Sequence, residues 1–454
     1  MVLQCMKAVI KKIIPKSVLN LRHLFFAWTG AVTYHHPSEE LLVIGVTGTS
    51  GKSSTVCFLR QLLEHAGFTV GSLSTIDFYI AGKNKLNDKK MTMLGKMQIQ
   101  KYLHEMVEKK CDIAIVETTS EGRIQHRHRF INYDMMVLTN LYPEHIDSHG
   151  SFAKYKQAKL DIFTYVSTST RKDIQGKAGL VRFAGDAGLV KKTAIVNTDH
   201  DYAREFLKFP FDRQFTFGLE KTDASSTATS LIATNREVSP KGLRFDVDHE
   251  TFSAPLYGEY NFSNVLGVIA VAQALGVDQD VVKKAVQSLK PAPGRIECIS
   301  EAEKFGFTVI VDYAFEPVAI KALYKVVRLL KPARIIHVFG STGGGRDISR
   351  RSTVGEYVGK KADICIVTDE DPYDDDPEEI IHDVANAAMR SGKKEGVDLF
   401  QVLDRGEAIQ QAIHMAQKGD IVLVTGKGSE QAMVVKGKLV PWDDREEVRK
   451  ALKN

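Results

Sequence analysis

The stretch VIGVTGTSGKSST, Val43 to Thr55, places the tightest constraint on what this chain can fold into. An apolar run from Leu41 to Val46 leads into a turn with Gly48 and Gly51, and an amphipathic segment from Val56 to Ala66 follows. Strand, glycine turn and helix in this order are typical of a phosphate-binding loop, because turn N–H groups and a helix N-terminus both favour anions. The glycine spacing departs by one residue from the common motif. The order of elements nevertheless favours a nucleotide site over a chance glycine turn.

Two side chains of this loop carry its expected chemistry. A lysine at the position of Lys52 neutralises the charge of β- and γ-phosphates, and a hydroxyl at the position of Ser53 is a ligand for Mg²⁺. The predicted ATP-binding residues of the loop are Gly48, Thr49, Ser50, Gly51, Lys52, Ser53 and Ser54.

Composition narrows the class of protein without identifying it. The 454 residues exceed what a single core normally supports, and a hydrophobic share of 43% with 26% charged residues is typical of a globular protein. The net charge of +5 is small for this length, and no long basic run with interleaved aromatic residues occurs, so nucleic acid is not the favoured partner. Five cysteines without a CxxC pair argue against a zinc knuckle or a disulfide framework and favour a reducing cytoplasm.

Apolar strands and amphipathic helices alternate along two stretches of the chain. The segment KPAPGRIE, Lys290 to Glu297, interrupts the helical pattern between them. The predicted fold class is α/β, with a central domain built on a parallel sheet of the P-loop ATPase type and a C-terminal Rossmann-like domain. The predicted boundaries are residues 1–40 for a short N-terminal segment, 41–293 for the central ATP-binding domain and 294–454 for the C-terminal domain.

The N-terminal segment combines basic and apolar residues. Residues 5 to 34 contain several lysines among isoleucines, leucines and aromatic residues, interrupted by Pro15. No apolar run approaches the roughly 20 residues that span a bilayer, and no convincing signal-peptide cleavage site follows. A basic helix with an aromatic face can lie on an anionic membrane surface, which predicts peripheral membrane contact through residues 1–34. A helix packed on the neighbouring domain explains the pattern equally well, and both interpretations remain open here.

Polar side chains follow two predicted strands of the central domain. Glu117 ends the strand in DIAIVETTS, and His145 follows the next strand along the chain. Because the carboxyl ends of parallel strands meet at one edge of a sheet, both are expected near a metal beside the triphosphate. A capping or salt-bridging glutamate and an ordinary turn histidine are the alternatives. Lys159 lies on a predicted amphipathic helix, and its position alone indicates no function.

Nine short motifs resemble, in the same order, those of the Mur ligase family, and most closely its tripeptide-forming branch. They cover nearly the whole chain from residue 41 onward. The motifs are GVTGTSGKSS, VETTSEGRIQHR, TNLYPEHIDSHGSFAKYKQAKLDIF, GEYNFSNVLG, PGRIE, VDYAFEP, GGGRD, DEDPYDDDP and GKGSE.

This resemblance implies an ATP-dependent amide ligase of peptidoglycan precursor synthesis, acting in the cytoplasm. A muramoyl-peptide carboxylate would form an acyl phosphate, and the amine of an acceptor amino acid would displace the phosphate. By motif, the implied catalytic residues are Lys52, Glu117, His145 and Lys159, and the implied Mg²⁺ ligands are Ser53, Glu117, His145 and Lys159. Lys159 matches the family's carbamylated lysine. The remaining implied ATP contacts are Asn261 and Asn264, which would face the adenine, Asp312, which would face the ribose, and Arg295, which would supply positive charge.

The resemblance also implies contacts for the two substrates that are joined. The implied donor-side residues are Thr92, Thr119, Gln125 and Arg127. The implied acceptor-side residues are Arg346, Glu370, Asp371, Pro372, Tyr373, Gly426 and Glu430. The chain departs from the family in its short N-terminal segment and in Tyr373, which stands where the diaminopimelate-adding branch has an arginine. A basic acceptor such as lysine is therefore expected in preference to diaminopimelate.

Two other functions are also compatible with this sequence. A ligase of the same superfamily that adds glutamate to a folate-like substrate would share the phosphate loop. A nucleotide-dependent switch or scaffold that no longer ligates would also keep it. An assay of phosphate release with and without donor and acceptor separates these hypotheses, because a switch would hydrolyse ATP without an amino acid.

Overall fold

Two mainly parallel sheets divide the chain into an N-terminal and a C-terminal unit. A computed structural model describes residues 16–89, 91–143, 149–173, 178–183, 188–222, 227–345 and 348–453. The strands of the N-terminal unit are β1 Leu42–Thr47, β2 Val70–Leu73, β3 Asp77–Ile80, β4 Lys83–Leu86, β5 Ile113–Glu117, β6 Met135–Leu138, β7 Thr193–Asn197, β8 Arg213–Gly218 and β9 Thr229–Ile232, with a separate antiparallel sheet of β10 Thr234–Ser239, β11 Gly242–Val247 and β12 Glu250–Ala254. Its helices are α1 Lys16–Thr33, α2 Lys52–His65, α3 Lys96–Glu108, α4 Ser120–Ile124, α5 Phe152–Thr168, α6 Ala203–Phe206, α7 Tyr260–Ala274 and α8 Gln279–Gln287.

The larger sheet of this unit has the strand order β4-β3-β2-β5-β1-β6-β7-β8-β9. All neighbours from β2 to β9 in this order are parallel, whereas β3 and β4 pair antiparallel at one edge. Strand β1 lies between β5 and β6, and Val46 is in register with Glu117. Every residue of β1 is buried, as expected for a central strand that is covered by helices on both faces. This register brings Glu117 beside the loop that leaves β1.

The C-terminal unit repeats the α/β design on a smaller scale. Its strands are β13 Glu297–Cys298, β14 Thr308–Asp312, β15 Ile335–Phe339, β16 Ile364–Thr368, β17 Leu399–Val402 and β18 Ile421–Thr425, followed by the hairpin β19 Ala432–Val435 and β20 Lys438–Pro441. Its helices are α9 Pro317–Leu329, α10 Ser349–Lys361, α11 Pro377–Arg390, α12 Arg405–Met415 and α13 Asp444–Ala451. The sheet order is β13-β14-β18-β15-β16-β17, with β13 antiparallel to its neighbour. These two α/β units confirm the predicted fold class.

Helix α1 packs on the N-terminal unit through one face only. Its small residues Ala27, Gly30 and Ala31 are buried, and a Cβ added to Gly30 would lie 3.1 Å from the Cα of Met97 on α3. Among the apolar side chains that α1 leaves exposed, we define the apolar stripe as Val18, Leu21, Phe25, Trp28 and Val32. Within the described ranges, no helix is both long enough and apolar enough to cross a membrane. The alternative of a packed helix is therefore confirmed for one face of α1.

Candidate active site

The loop between β1 and α2 requires glycine at two positions. A Cβ added to Gly48 would lie 1.9 Å from the hydroxyl oxygen of Thr139, and φ at Gly48 is +152°. Gly51 has φ +78°, and a Cβ there would lie 2.4 Å from the side-chain oxygen of Asn264. Side chains rarely adopt such backbone angles, so glycine is required for both conformation and space. The second contact joins the loop to α7, the helix that carries both predicted adenine-contacting asparagines.

Lys52 and the backbone of the loop lie close together. The ammonium of Lys52 donates to the carbonyl oxygens of Gly48 at 3.1 Å and Thr49 at 2.8 Å. The N–H groups of Thr49 and Ser50 donate to the side-chain oxygen of Asn140, at 3.1 and 2.9 Å. Ser54 is half-buried on the first turn of α2. Asn140 belongs to the motif TNLYPEHIDSHGS, and no pattern within that motif singled it out.

Ser53 and Glu117 meet as their strand order predicts. The Ser53 hydroxyl donates to both carboxylate oxygens of Glu117, at 3.1 and 3.0 Å, and Glu117 is 1% exposed. Thr75 donates to the same carboxylate through its N–H at 2.8 Å and its hydroxyl at 3.0 Å. A buried carboxylate beside a hydroxyl offers the oxygen ligands that Mg²⁺ prefers. Thr75 was missed because it lies in an irregular segment between β2 and β3, outside any motif.

Lys159 reaches the phosphate loop from α5. Its side chain is 1% exposed, and its ammonium donates to the carbonyl oxygen of Gly48 at 2.8 Å. The same nitrogen lies 4.8 Å from the centre of the Tyr155 ring, and the Tyr155 hydroxyl donates to Thr49 at 3.1 Å. Lys159, whose position in the sequence alone indicated no function, therefore lies at the phosphate loop beside Lys52.

His145 lies outside the described residues, so its predicted position stays a prediction. His149, in the same motif, is described and places its Nε2 atom 3.1 Å from the Ser120 hydroxyl. Within the described ranges, which leave out residues 144–148, no group of three or more His, Cys, Asp or Glu residues is placed to hold a metal ion.

The residues predicted for the base and the ribose come from both units, Asn261 and Asn264 from α7 and Asp312 from the end of β14. Asn264 donates to the side-chain oxygen of Asn261 at 2.8 Å, and both are buried. Asp312 ends β14 and accepts from the N–H groups of Ile296 at 2.7 Å and Ala314 at 2.8 Å. Burial raises the pKa of Asp312, and the charge of Arg295 opposes that rise. Arg295 thus lies close enough to Asp312 for its charge to favour the ionised carboxylate.

Arg295 retains hydrogen-bonding capacity. Its guanidinium lies over the ring of Tyr313, 4.2 Å from the ring centre. Its buried Nε has no hydrogen-bond partner among the described residues. A buried donor without a partner is costly unless a ligand meets it, so this nitrogen suits an anionic ligand such as a phosphate.

The acceptor-side residues form a buried charged group around Lys427. Its ammonium donates to Asp371 at 2.9 Å and to Glu430 at 2.6 Å, and Glu430 also accepts from the Tyr313 hydroxyl at 3.1 Å. Burial raises the pKa of Glu370 to about 7 despite the positive charges of Arg405 and Lys427. Lys427 belongs to the recognised motif GKGSE. That motif does not predict which acidic side chains contact the lysine.

The rest of this group surrounds the Glu370 carboxylate. A Cβ added to Gly426 would lie 2.4 Å from Glu370 Oε2, and that buried oxygen has no hydrogen-bond partner among the described residues. Pro372 is buried, and Tyr373 takes a left-handed conformation with φ +55°. Arg346 lies outside the described residues. Glu370 thus keeps a carboxylate oxygen without a partner among the described residues, whereas Asp371 pairs with Lys427.

The donor-side residues line a path away from the phosphate loop. The hydroxyl oxygens of Thr92 and Thr75 lie 3.0 Å apart, and Thr75 contacts Glu117 as described above. Thr119 caps α4 by accepting from the N–H of Gly122 at 2.9 Å. Arg127 donates to Gln125 at 2.7 Å and also to the carbonyl of Met93. Thr92 thus adjoins the Glu117 site, and Arg127 contacts Met93, the residue that follows Thr92 in the chain.

Comparison with known proteins identifies both units. A family model described as the Mur ligase middle domain matches residues 46–272, and one described as the Mur ligase glutamate ligase domain matches residues 294–428. Two curated relatives cover most of the chain. One is the UDP-N-acetylmuramyl-tripeptide synthetase of Roseiflexus sp., 34% identical over 93% of this chain and 80% of its own length.

The other is the UDP-N-acetylmuramoyl-L-alanyl-D-glutamate–2,6-diaminopimelate ligase of Clostridium botulinum, 30% identical over 92% of this chain and 80% of its own length. A solved structure of a ligase with the same name has a TM-score of 0.60 and 26% identity, over 91% of this chain and 78% of that chain.

Proposed function

Because the chain belongs to the Mur ligase family, we propose that it joins an amino acid to the carboxylate of a muramoyl peptide at the expense of ATP. One observation carries this proposal: Lys52, Ser53, Glu117 and Lys159 meet at one loop, where the Ser53 hydroxyl lies 3.0 Å from the Glu117 carboxylate and Lys159 lies 2.8 Å from Gly48. A phosphoryl group could be both bound and transferred at this loop, as ligation through an acyl phosphate requires.

The proposed reaction has two steps, phosphoryl transfer and amide formation. A carboxylate oxygen of the donor attacks the γ-phosphorus of ATP, and ADP leaves with the electron pair of the broken bond. The amine of the acceptor then attacks the acyl carbon, phosphate leaves, and the amine loses a proton. Lys52 supplies positive charge while anionic groups approach one another, which is the main electrostatic requirement of phosphoryl transfer. Mg²⁺ held by Ser53, Glu117 and His145 would supply further charge neutralisation.

Lys159 is proposed to act as a carbamate. Addition of carbon dioxide to the neutral amine forms a nitrogen–carbon bond, releases one proton and turns a cation into a carboxylate-like group. Its burial and its position against the phosphate loop support this proposal, because such a group could take part in holding the Mg²⁺ that Ser53 and Glu117 suit. Unmodified, the ammonium would add positive charge at the same place.

The remaining site residues are assigned by proposal. Asn261 and Asn264 would face adenine, Asp312 the ribose and Arg295 the phosphates. Asn264 touches the phosphate loop through Gly51, which supports the placement of the base next to it. These roles divide the nucleotide between the two proposed domains, residues 41–293 and 294–454.

The acceptor is proposed to be a basic amino acid. Tyr373 has no guanidinium with which to pair with the distal carboxylate of diaminopimelate. Glu370 is 2% exposed and presents a carboxylate oxygen that has no partner among the described residues, which favours an ammonium as the distal group. Thr92, Thr119, Gln125 and Arg127 are proposed to hold the donor.

Peripheral membrane contact is proposed for the N-terminal helix. Trp28 is 48% exposed and Phe25 55% exposed within the apolar stripe, although α1 packs through its opposite face. Exposed aromatic side chains on a helix with basic flanks suit the interface of an anionic membrane. The proposal places the ligase in the cytoplasm, at the membrane surface.

Product analysis tests the proposed function. The full-length protein is incubated with ATP, Mg²⁺, a muramoyl dipeptide linked to UDP, and either lysine or diaminopimelate. The expected product is a muramoyl tripeptide with lysine, formed with kcat/KM about 10-fold above that for diaminopimelate. Extension of a folate with glutamate in place of this product would favour the folate-type alternative. Preference for diaminopimelate would show that the assignment of Tyr373 and Glu370 is wrong.

A further inference from the structure

Cationic side chains cluster where α1 meets the N-terminus of α3 and the segment after α4. We define the α1–α3 cation cluster as Arg22, Lys96 and Arg127, together with His23. Burial and the charge of Lys96 lower the pKa of His23, so its ring is neutral and accepts from Lys96. The ammonium of Lys96 lies 2.7 Å from Nδ1 of His23. Burial and the positive charges of Arg127 and Arg22 together lower the pKa of Lys96 to about 8. Partial burial therefore brings several positive charges together from three separate elements.

Little negative charge balances this cluster. Glu121 acts on Arg127, whereas the charges that act on His23 are all positive. Arg127 Nε and Nδ1 of the adjacent His126 are buried and have no hydrogen-bond partner among the described residues. Like charges held together in a partly desolvated place raise the free energy of the fold, and a bound anion would offset that cost.

Helix α3 adds a favourable field at the same place. It begins at Lys96 with Gly95 as N-cap, and no side chain caps its first turn, which also lacks an acidic residue. The N–H groups at a helix N-terminus favour anions, and the helix is 13 residues long. The cluster thus combines side-chain cations with a helix end of the same sign.

A continuous line of contacts connects the phosphate loop with this cluster. Ser53 contacts Glu117, Glu117 accepts from Thr75, and Thr75 contacts Thr92. The next residue, Met93, accepts from Arg127 through its carbonyl. In the proposed function the reacting carboxylate of the donor lies at the phosphate loop. The cluster therefore lies on the far side of Thr92, where the opposite end of the donor would be found.

We propose that the α1–α3 cation cluster binds the diphosphate group of a donor in which the muramoyl peptide is linked to a diphosphate. This inference rests on the proposed function and assigns binding residues to α1 and to Lys96. Several cations of mixed type suit a diphosphate, since guanidinium groups pair with phosphate oxygens and an ammonium adds a point charge. Both a nucleotide-linked and a lipid-linked donor carry this group.

Substitution of Lys96 tests the site without relying on turnover. Binding of inorganic pyrophosphate is measured by calorimetry on the full chain, with saturating ADP to occupy the phosphate loop. We expect Lys96→Met to weaken binding by about 10-fold or more, as for loss of one charge-assisted hydrogen bond. Lys96→Arg should retain affinity within about 3-fold, because it keeps the charge. The control is Lys101→Met, at an exposed lysine of the same helix. Equal binding by Lys96→Met and the control overturns the proposal.

Donor kinetics then distinguish the chemical sources of the diphosphate. In the Lys96→Met variant, KM should rise about 10-fold for UDP-linked and lipid-linked muramoyl peptides and stay unchanged for a muramoyl peptide without phosphate. The source whose KM responds more strongly is the preferred donor. An equal rise for the phosphate-free peptide contradicts the site. Absence of ligation with every donor would refute the proposed function alone, since pyrophosphate binding reports on the cluster independently.

Discussion

The proposed role of Lys159 depends on the buried position of its side chain at the phosphate loop. Its nitrogen lies within hydrogen-bonding distance of the phosphate loop, in a place with almost no solvent. We expect Lys159→Ala to fold and to lose ligation by several orders of magnitude, with partial recovery when short carboxylic acids occupy the space of the carbamate. Initial rates with and without added acetate or formate measure this recovery. The exposed Lys154→Ala on α5 serves as the control. Full activity of Lys159→Ala without added acid would exclude the carbamate role.

Glu370, in the loop after β16, should make the free energy of unfolding of the protein depend on pH. Because burial raises its pKa from 4.5 to about 7, the folded chain keeps a proton on this carboxyl where the unfolded chain has lost it. The free energy of unfolding contributed by this group therefore falls between about pH 4.5 and pH 7, and the loss is complete above that range. Glu370→Gln should remove this dependence, so that its stability relative to the unsubstituted protein improves by about 3 kcal/mol from pH 4.5 to pH 8.

Denaturant titration at both pH values measures this difference. The control is Glu379→Gln, at an exposed acid on the neighbouring helix α11. A constant stability difference between Glu370→Gln and the unsubstituted protein at the two pH values would show that Glu370 is not titrating in this range.

The position of helix α1 could not be predicted from the sequence. Its pattern fitted both a packed helix and a membrane-surface helix, and the structure gives it one buried face and one exposed apolar face. The sequence could not separate these because the partner face of α3 lies some seventy residues away in the chain. By contrast, the meeting of Ser53 with Glu117 followed from strand order alone. The contacts of Thr75 and Lys427 depend on irregular segments, for which no periodic pattern exists.

The apolar stripe predicts binding to anionic vesicles. We expect the unsubstituted protein to bind them more strongly at low salt, because charge attraction is screened over about 10 Å at 0.1 M salt. Replacing Phe25 and Trp28 with aspartate should abolish vesicle binding while ATP binding persists. The matched control is Val318→Asp, at a side chain that is 77% exposed on α9. Co-sedimentation measures the bound fraction, and absence of binding by the unsubstituted protein would contradict the membrane proposal.

The segment between the two units contacts both the helix after the phosphate loop and a loop of the C-terminal unit. Gln61 on α2 exchanges hydrogen bonds with the backbone of Lys290 at 3.0 and 2.8 Å. A Cβ added to Gly294, which has φ +62°, would lie 2.2 Å from the backbone of Gly428. This segment therefore ties the helix after the phosphate loop to the loop that follows β18. The sequence predicted a break here from its prolines and glycine, but it could not predict these contacts between residues far apart in the chain.

The most direct test of ligation is the dependence of ADP formation on all substrates together. ADP and product are measured with ATP and Mg²⁺ while the UDP-linked muramoyl dipeptide or the lysine acceptor is omitted in turn. We predict sustained ADP formation only in the complete mixture, with one ADP for each amide bond formed, and none above background for Lys52→Ala, which lacks the charge that faces the transferred phosphoryl group. Equal ADP formation without the amino acid, and without any amide product, would identify a nucleotide-hydrolysing switch and contradict the assignment as a ligase.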